Sequence, residues 1–243
     1  MRKKRPDIDP RLLGNFATFQ SPSGLWRLKA RVVFRHFAWR IVVGGAGAVK
    51  RAVDIVLGGI ALCALTPLLL VIAAIVKLDG GPVVFTQTRV GRFGREFRMF
   101  KFRSMRPDAE QRLAALLAAN EHAGGVTFKI KNDPRITRAG HYLRRYSLDE
   151  LPQFYNVFLG DMSLVGPRPP VPREVALYSL ADRRRLAVKP GITCIWQVSG
   201  RAAIDFPGQV GLDVRYIESQ SLAQDLRILA RTIPAVLFGS GAY

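Results

Sequence analysis

The stretch Ile55–Val76, IVLGGIALCALTPLLLVIAAIV, decides how the rest of the chain is read. Its 22 residues carry no charge, with Lys50-Arg51 before them and Lys77 directly after. As a helix rising about 1.5 Å per residue, it matches a bilayer hydrocarbon core of about 30 Å. Two features argue against a simple crossing. Pro67 removes the N–H that would bond the Cys63 carbonyl, and it leaves an 11-residue half (Ile55–Leu65) and a 9-residue half (Leu68–Val76). The Thr66 hydroxyl beside it can turn back to a freed carbonyl, which makes a bend tolerable in lipid. The second feature is charge. Residues 1–51 hold 12 Lys and Arg, and residues 77–106 hold 8. A spanning helix keeps its positive excess on one side of the membrane, so basic flanks at both ends predict that both ends stay on the cytoplasmic side. The segment is therefore expected to enter, bend at Thr66-Pro67 and return, with Asp54 at headgroup depth near Lys50 and Arg51. An ordinary kinked spanning helix is the alternative.

Composition supports a membrane-surface setting. The 243 residues include 37 Lys and Arg against 18 Asp and Glu, a net charge of +19, yet 49% of the chain is hydrophobic. That apolar content excludes disorder as the main state, and the charge points to a polyanionic partner: nucleic acid, an anionic bilayer or phosphate-bearing substrates. Cys63 and Cys194 make no disulfide framework or zinc site. The start, MRKKRPDIDP, lacks the apolar run and cleavage site of a secretory signal. Residues 1–25, with their prolines and glycines, read as a flexible basic segment. Over 26–49, Arg27, Arg31 and Arg35 recur at fourfold spacing among Phe34, Phe37, Trp39 and Ile41, the pattern of a basic amphipathic interfacial helix. The re-entrant segment takes residues 50–78.

Residues 79–243 read as a cytoplasmic globular domain. Strand-like runs at Pro82–Phe85 and Phe97–Phe100 flank a turn region at Gly91 and Gly94. Helical patterns follow at Asp108–Ala119 and near 139–146, 150–159, 172–186 and 208–233. The fold class is α+β, mainly helical with a small β element, on a monotopic helix-break-helix membrane anchor.

Ser147-Leu148-Asp149-Glu150-Leu151-Pro152 puts two adjacent carboxylates at a helix start. Capping alone accounts for many such patterns. The chemical reading needs a carboxylate that can attack phosphorus, a carboxylate for Mg²⁺, and cations for phosphate. The cations are present as Lys101, Arg103, Arg144, Arg145, Arg168 and Arg201.

The runs RVGRFGREFRMFKFRSM (89–105), KNDPRITRAG (131–140), LRRYSLDELPQFYNVFLGDMSLVGPRP (143–169), KPGIT (189–193) and WQVSGR (196–201) resemble the bacterial sugar transferase family, whose members are monotopic polyprenyl-phosphate phosphoglycosyl transferases. The resemblance extends over roughly residues 50–235 in the same order, including the apolar segment with its central proline. It implies transfer of a sugar-1-phosphate from a nucleotide diphosphate sugar to polyprenyl (undecaprenyl) phosphate, initiating exopolysaccharide, capsule, O-antigen or glycoprotein glycan assembly. By the same resemblance, Asp149 is the nucleophile that becomes an aspartyl-phosphate sugar, and Glu150 is the adjacent carboxylate that helps hold Mg²⁺. Lys101 lies close to the diphosphate, Arg144 and Arg168 bind phosphate oxygens, and Arg201 and Asp213 belong around the active site. The implied setting is the cytoplasmic face of the bacterial inner membrane, with an anionic phospholipid bilayer as partner, a homo-oligomer left open, and no nucleic acid.

Two departures stand out. Cys194-Ile195 follows PGIT where the family usually has glycine, and Ala202–Gly211 differs from the polar run common after SGR. Two other classes compete. One is a glycosyltransferase that moves the sugar without its phosphate; the other is a non-catalytic basic membrane-binding or nucleic-acid-binding protein, which predicts salt-sensitive binding.

Overall fold

A computed structural model of the chain describes residues 22–109, 111, 133–200 and 204–237. The segment 1–21, most of the expected 108–119 helix, and Arg201 lie outside the described residues. The chain divides into two compact units between Lys50 and Arg51. Helix α1 is assigned over Pro22–Leu78, so its first part belongs to one unit and its apolar part to the other. In the first unit Trp26, Val33 and Phe34 are exposed.

The apolar part of α1 is long and apolar enough to cross a membrane. Helix α1 is continuous through Thr66 and Pro67, with no interruption at the expected break. Proline removes a single ladder bond, and the helix continues on both sides of the gap. The Thr66 hydroxyl does bond backwards, but to the Leu62 carbonyl at 2.8 Å. One stripe of the helix faces its own domain: Asp54, Gly58, Ile72 and Val76 are buried, while Ile55, Val56, Ile60, Leu70, Val71 and Ile75 are exposed. That spacing is the 3.6-residue period of a helix with one packed side.

Asp54 is held by the globular domain. It is buried, and its Oδ1 accepts hydrogen bonds from the Ser163 hydroxyl and the Leu164 N–H, both at 3.0 Å. These partners lie 109 and 110 residues further along the chain. Arg51, one turn earlier, donates to the Val157 and Phe158 carbonyls at 2.6 and 2.9 Å. At the other end, Ile72 and Val76 pack with Phe102 and Leu143. Both ends of the apolar segment are thus held by the same domain.

Strands β1 (Val84–Val90) and β2 (Glu96–Phe102) form the expected hairpin around Gly91 and Gly94, longer than the two runs suggested. A parallel pair, β3 (Ser163–Val165) and β4 (Gly191–Thr193), was not foreseen. Helices α2 (Arg138–Arg145), α3 (Gln153–Leu159), α4 (Pro172–Ala176), α5 (Phe206–Glu218) and α6 (Leu222–Leu237) complete the described domain. The single 208–233 pattern is two helices, because Ser219 bonds back to the Arg215 carbonyl and Ser221 receives the Gln224 N–H. The 172–186 pattern is likewise split, with a separate 3₁₀ turn at Asp182–Ala187. The core gathers Met99, Val157, Met162, Leu164, Val165, Tyr216 and Ile228.

Candidate active site

The acidic pair sits on a 3₁₀ turn, Leu148–Glu150, between α2 and α3. Ser147 enters that turn in the left-handed region (φ 54°, ψ 23°), a conformation unfavourable for a residue with a Cβ. Here it redirects the chain so that Asp149, only 7% exposed, and Glu150 line a cleft of about 1090 Å³. Two contacts set this turn against β2. Asn156 on α3 accepts from the Phe100 N–H at 3.0 Å and donates to the Arg98 carbonyl at 2.7 Å, so its amide replaces a strand partner at the free edge of β2. Gly140 on α2 lies so close to the Ser104 carbonyl that a Cβ there would stand 2.0 Å from the oxygen.

β2 delivers Lys101 to the acidic pair. Its Nζ lies 2.6 Å from Glu150 Oε1, and the Arg168 guanidinium approaches the same oxygen at 3.6 Å. Arg168 follows β3 in a loop whose backbone crosses β4 closely. A Cβ on Gly191 would stand 2.0 Å from the Gly166 nitrogen, and only a glycine allows the Gly191 N–H to reach the Pro167 carbonyl at 2.9 Å. Arg144, on the last turn of α2, also lines the cleft.

The two carboxylates are driven apart. Burial pushes Asp149 up to about 6, against the pull of Lys101 and with the push of neighbouring Glu150. Burial alone would raise Glu150 too, but Lys101 and Arg168 outweigh it and hold the group well below the ordinary carboxylate range. Glu150 is therefore the fixed anion and Asp149 the adjustable one. Nine of the cleft's lining residues among those described are Lys or Arg and four are Asp or Glu, a balance that selects an anionic ligand.

Four of the expected residues besides the helix break come together here with Glu150: Asp149, Lys101, Arg144 and Arg168. Asp213 does not. It is 1% exposed, lies behind the cleft wall, and pairs with Arg185 at 2.5 Å. Burial raises Asp213 to about 6, opposed by Arg185 and by the nearby Trp196 indole, which does not reach hydrogen-bond geometry. Arg185 itself lines the cleft and donates to the Tyr178 hydroxyl, so Asp213 reaches the site only through Arg185. The sequence reading passed over Arg89. It lines the cleft, is fixed by the Pro169 carbonyl and Gln87, and is lowered to about 10 by burial and by Arg168. Its place opening the RVGRFG run was the available signal. Cys194 is buried with its thiol on Gln197 and is pushed up by burial, so the departure from glycine there puts an inert side chain in the interior.

Asp149 and Glu150 fit a Mg²⁺ that keeps water and substrate oxygens as its other ligands. Among the described residues no third acidic, His or Cys group joins them, so such an ion would depend on a bound phosphate.

The family model for bacterial sugar transferases matches residues 45–239, and the chain belongs to that family. It is 50% identical over 196 residues to the galactosyl transferase CpsE of Streptococcus agalactiae, covering 79% of this chain and 43% of that protein. The exopolysaccharide production protein ExoY of Rhizobium meliloti is 41% identical over 201 residues, 81% of this chain and 89% of its own length. The undecaprenyl-phosphate galactose phosphotransferase of Salmonella typhimurium is 44% identical over 197 residues, covering 80% and 41%. The chain thus spans less than half the length of two of these three relatives and nearly all of the third.

Proposed function

We propose that the chain is a phosphoglycosyl transferase that moves a sugar-1-phosphate from a nucleotide diphosphate sugar to polyprenyl phosphate. The observation that carries the reading is the pairing of an ionised, cation-held Glu150 with a buried, weakly acidic Asp149 in one arginine-rich cleft. Relatives named as undecaprenyl-phosphate galactose and N-acetylgalactosamine phosphotransferases support it. Lys101, Arg144 and Arg168, with Arg89, bind the diphosphate and orient its β-phosphorus towards Asp149. An Asp149 oxygen attacks that phosphorus, the bond to the bridging oxygen breaks, and nucleoside monophosphate departs on the guanidinium groups. A phosphate oxygen of the polyprenyl carrier then attacks the same phosphorus, displacing the Asp149 carboxylate and yielding polyprenyl diphosphate sugar. A Mg²⁺ held by Asp149 and Glu150 supplies charge neutralisation on the phosphate oxygens when bound.

The apolar part of α1 serves, in this reading, as a re-entrant anchor bending at Thr66-Pro67 and leaving the domain on the cytoplasmic face of a bacterial inner membrane. Basic flanks at both ends, and the grip of one domain on both Asp54 and Val76, support it. Single cysteines at Ala48 and Asp79 test it: an impermeant thiol reagent reaches both from the same side, and opposite-side labelling overturns the anchor. The activity is tested by incubating the membrane-bound protein with nucleotide sugars and polyprenyl phosphate. Release of nucleoside monophosphate and a trapped Asp149 adduct support the reading; release of nucleoside diphosphate identifies a simple glycosyltransferase instead.

A further inference from the structure

Among the described residues, Arg103 is the cleft guanidinium with two buried nitrogens that lack a hydrogen-bond partner. The residue is 6% exposed. Its Nη2 donates to the Val76 carbonyl at 3.1 Å, near the C-terminal end of α1. That carbonyl is one of the acceptors a helix end leaves over, so the contact is a side-chain cap. Its Nε and Nη1 are buried and have no hydrogen-bond partner, and no carboxylate among the described residues pairs with it. Burying a guanidinium with two idle donors is costly unless a ligand oxygen meets them.

Position says which ligand. Arg103 follows Lys101 by two residues, just past the end of β2, and both line the cleft. Lys101 faces Glu150, whereas Arg103 faces the end of the apolar helix. The exposed Ile75 and Leu78 flank Val76 in the sequence, so the helix end that Arg103 caps has an apolar rim. A nucleotide sugar has no use for such a rim; a phosphate monoester carried on a hydrocarbon chain does. Nη1 lies against the turn at Gly81 (φ +75°), where a Cβ would stand 2.2 Å from it. This cover has no side chain, so uncovering the guanidinium takes only a movement of the turn.

We propose that Arg103 is the acceptor-phosphate subsite. Its Nε–H and Nη1–H receive the phosphate monoester of the polyprenyl carrier, and the hydrocarbon leaves over Ile75 and Leu78. This assignment rests on the two-substrate reading above, and the two halves of the reaction separate them. Arg103→Ala and Arg103→Lys are compared with the unaltered protein in detergent for three quantities: KM for polyprenyl phosphate, KM for nucleotide sugar, and nucleoside monophosphate released in a single turnover without acceptor. Arg103→Ala is expected to raise the acceptor KM by about tenfold or more, with Arg103→Lys intermediate. The donor KM and the single-turnover release stay within about twofold, which also shows that the variants are folded. An unchanged acceptor KM overturns the subsite, as does a parallel loss of donor KM and single-turnover release. A defect absent in detergent and present only in phosphatidylglycerol vesicles overturns it in favour of a phospholipid headgroup. If the unaltered protein itself releases no nucleoside monophosphate, the parent reading fails, and this inference falls with it.

Discussion

Lys101 Nζ and Glu150 Oε1 meet at 2.6 Å across 49 residues of chain, joining β2 to the turn that carries the acidic pair. The contact is uneven. Burial lowers Lys101 despite its partner, while Glu150 has both Lys101 and Arg168 to hold its charge. Glu150 stays ionised well below its unfolded value of 4.5, so it contributes stability above about pH 4.5 that is lost as pH falls towards about 2. Lys101→Met removes that contribution but also the cost of burying the ammonium. The net loss is expected to be on the order of 1–3 kcal/mol at neutral pH, shrinking in acid. Transfer activity should fall by about 100-fold or more, because the diphosphate loses a cation and Glu150 its orientation. Thermal melting across pH, beside a product assay, checks both effects; unchanged activity with a lowered melting point would leave Lys101 a structural role only.

Asp149→Asn separates chemistry from stability. The folded protein holds a proton on Asp149 up to about pH 6 where the unfolded chain releases it near 3.8, so this group makes stability decline as pH rises between those values. Asparagine takes no part in that decline. The variant is expected to lose transfer and any phosphosugar adduct, yet to melt at or above the temperature of the unaltered protein at pH 7–8. The gain is at most about 3 kcal/mol. The same ionisation predicts an acid limb in the rate profile near pH 6. A variant that melts well below the original, or a profile flat through pH 6, contradicts the assignment.

Much of the site was legible because its chemistry lies in contiguous runs. Asp149 and Glu150 adjoin, Lys101 lies in KFRSM, and Arg168 follows Gly166-Pro167. The apolar segment and the hairpin turn were equally local. What escaped depends on partners distant in sequence. The partners of Asp54, Ser163 and Leu164, lie far along the chain. Asp213 reaches the cleft only through Arg185, 28 residues away, a link its motif does not display. Strands β3 and β4 are three residues each, too short to show alternation, and two glycines allow their close approach.

Gly140 sets how near α2 comes to the loop after β2. An alanine Cβ at 2.0 Å from the Ser104 carbonyl has no rotamer to relieve it, so helix and loop must part. The Thr137 N–H bond to the same carbonyl, 3.1 Å, would stretch with them. Gly140→Ala is expected to cost about 1–3 kcal/mol and to lower the turnover rate, since Arg144 rides on the displaced helix. Urea unfolding and steady-state kinetics check this, and an alanine variant as stable and active as the original would show that the contact is not tight.

Asn156 is the most economical test of how the pair is held. Its side chain is fully buried, and one amide serves both the Phe100 N–H and the Arg98 carbonyl. Leucine, close in volume, leaves the part-buried Phe100 N–H and Arg98 carbonyl on β2 without this partner, at about 1 kcal/mol each. Aspartate keeps the acceptor for Phe100 but faces the Arg98 carbonyl with an oxygen, so it repairs only half. If α3 positions the turn before it, turnover should fall in the order original, aspartate, leucine, while the donor KM changes little, because Lys101 and Arg168 still bind phosphate. Equal losses in melting temperature without any change in turnover would mean that α3 supports the fold but does not aim Asp149.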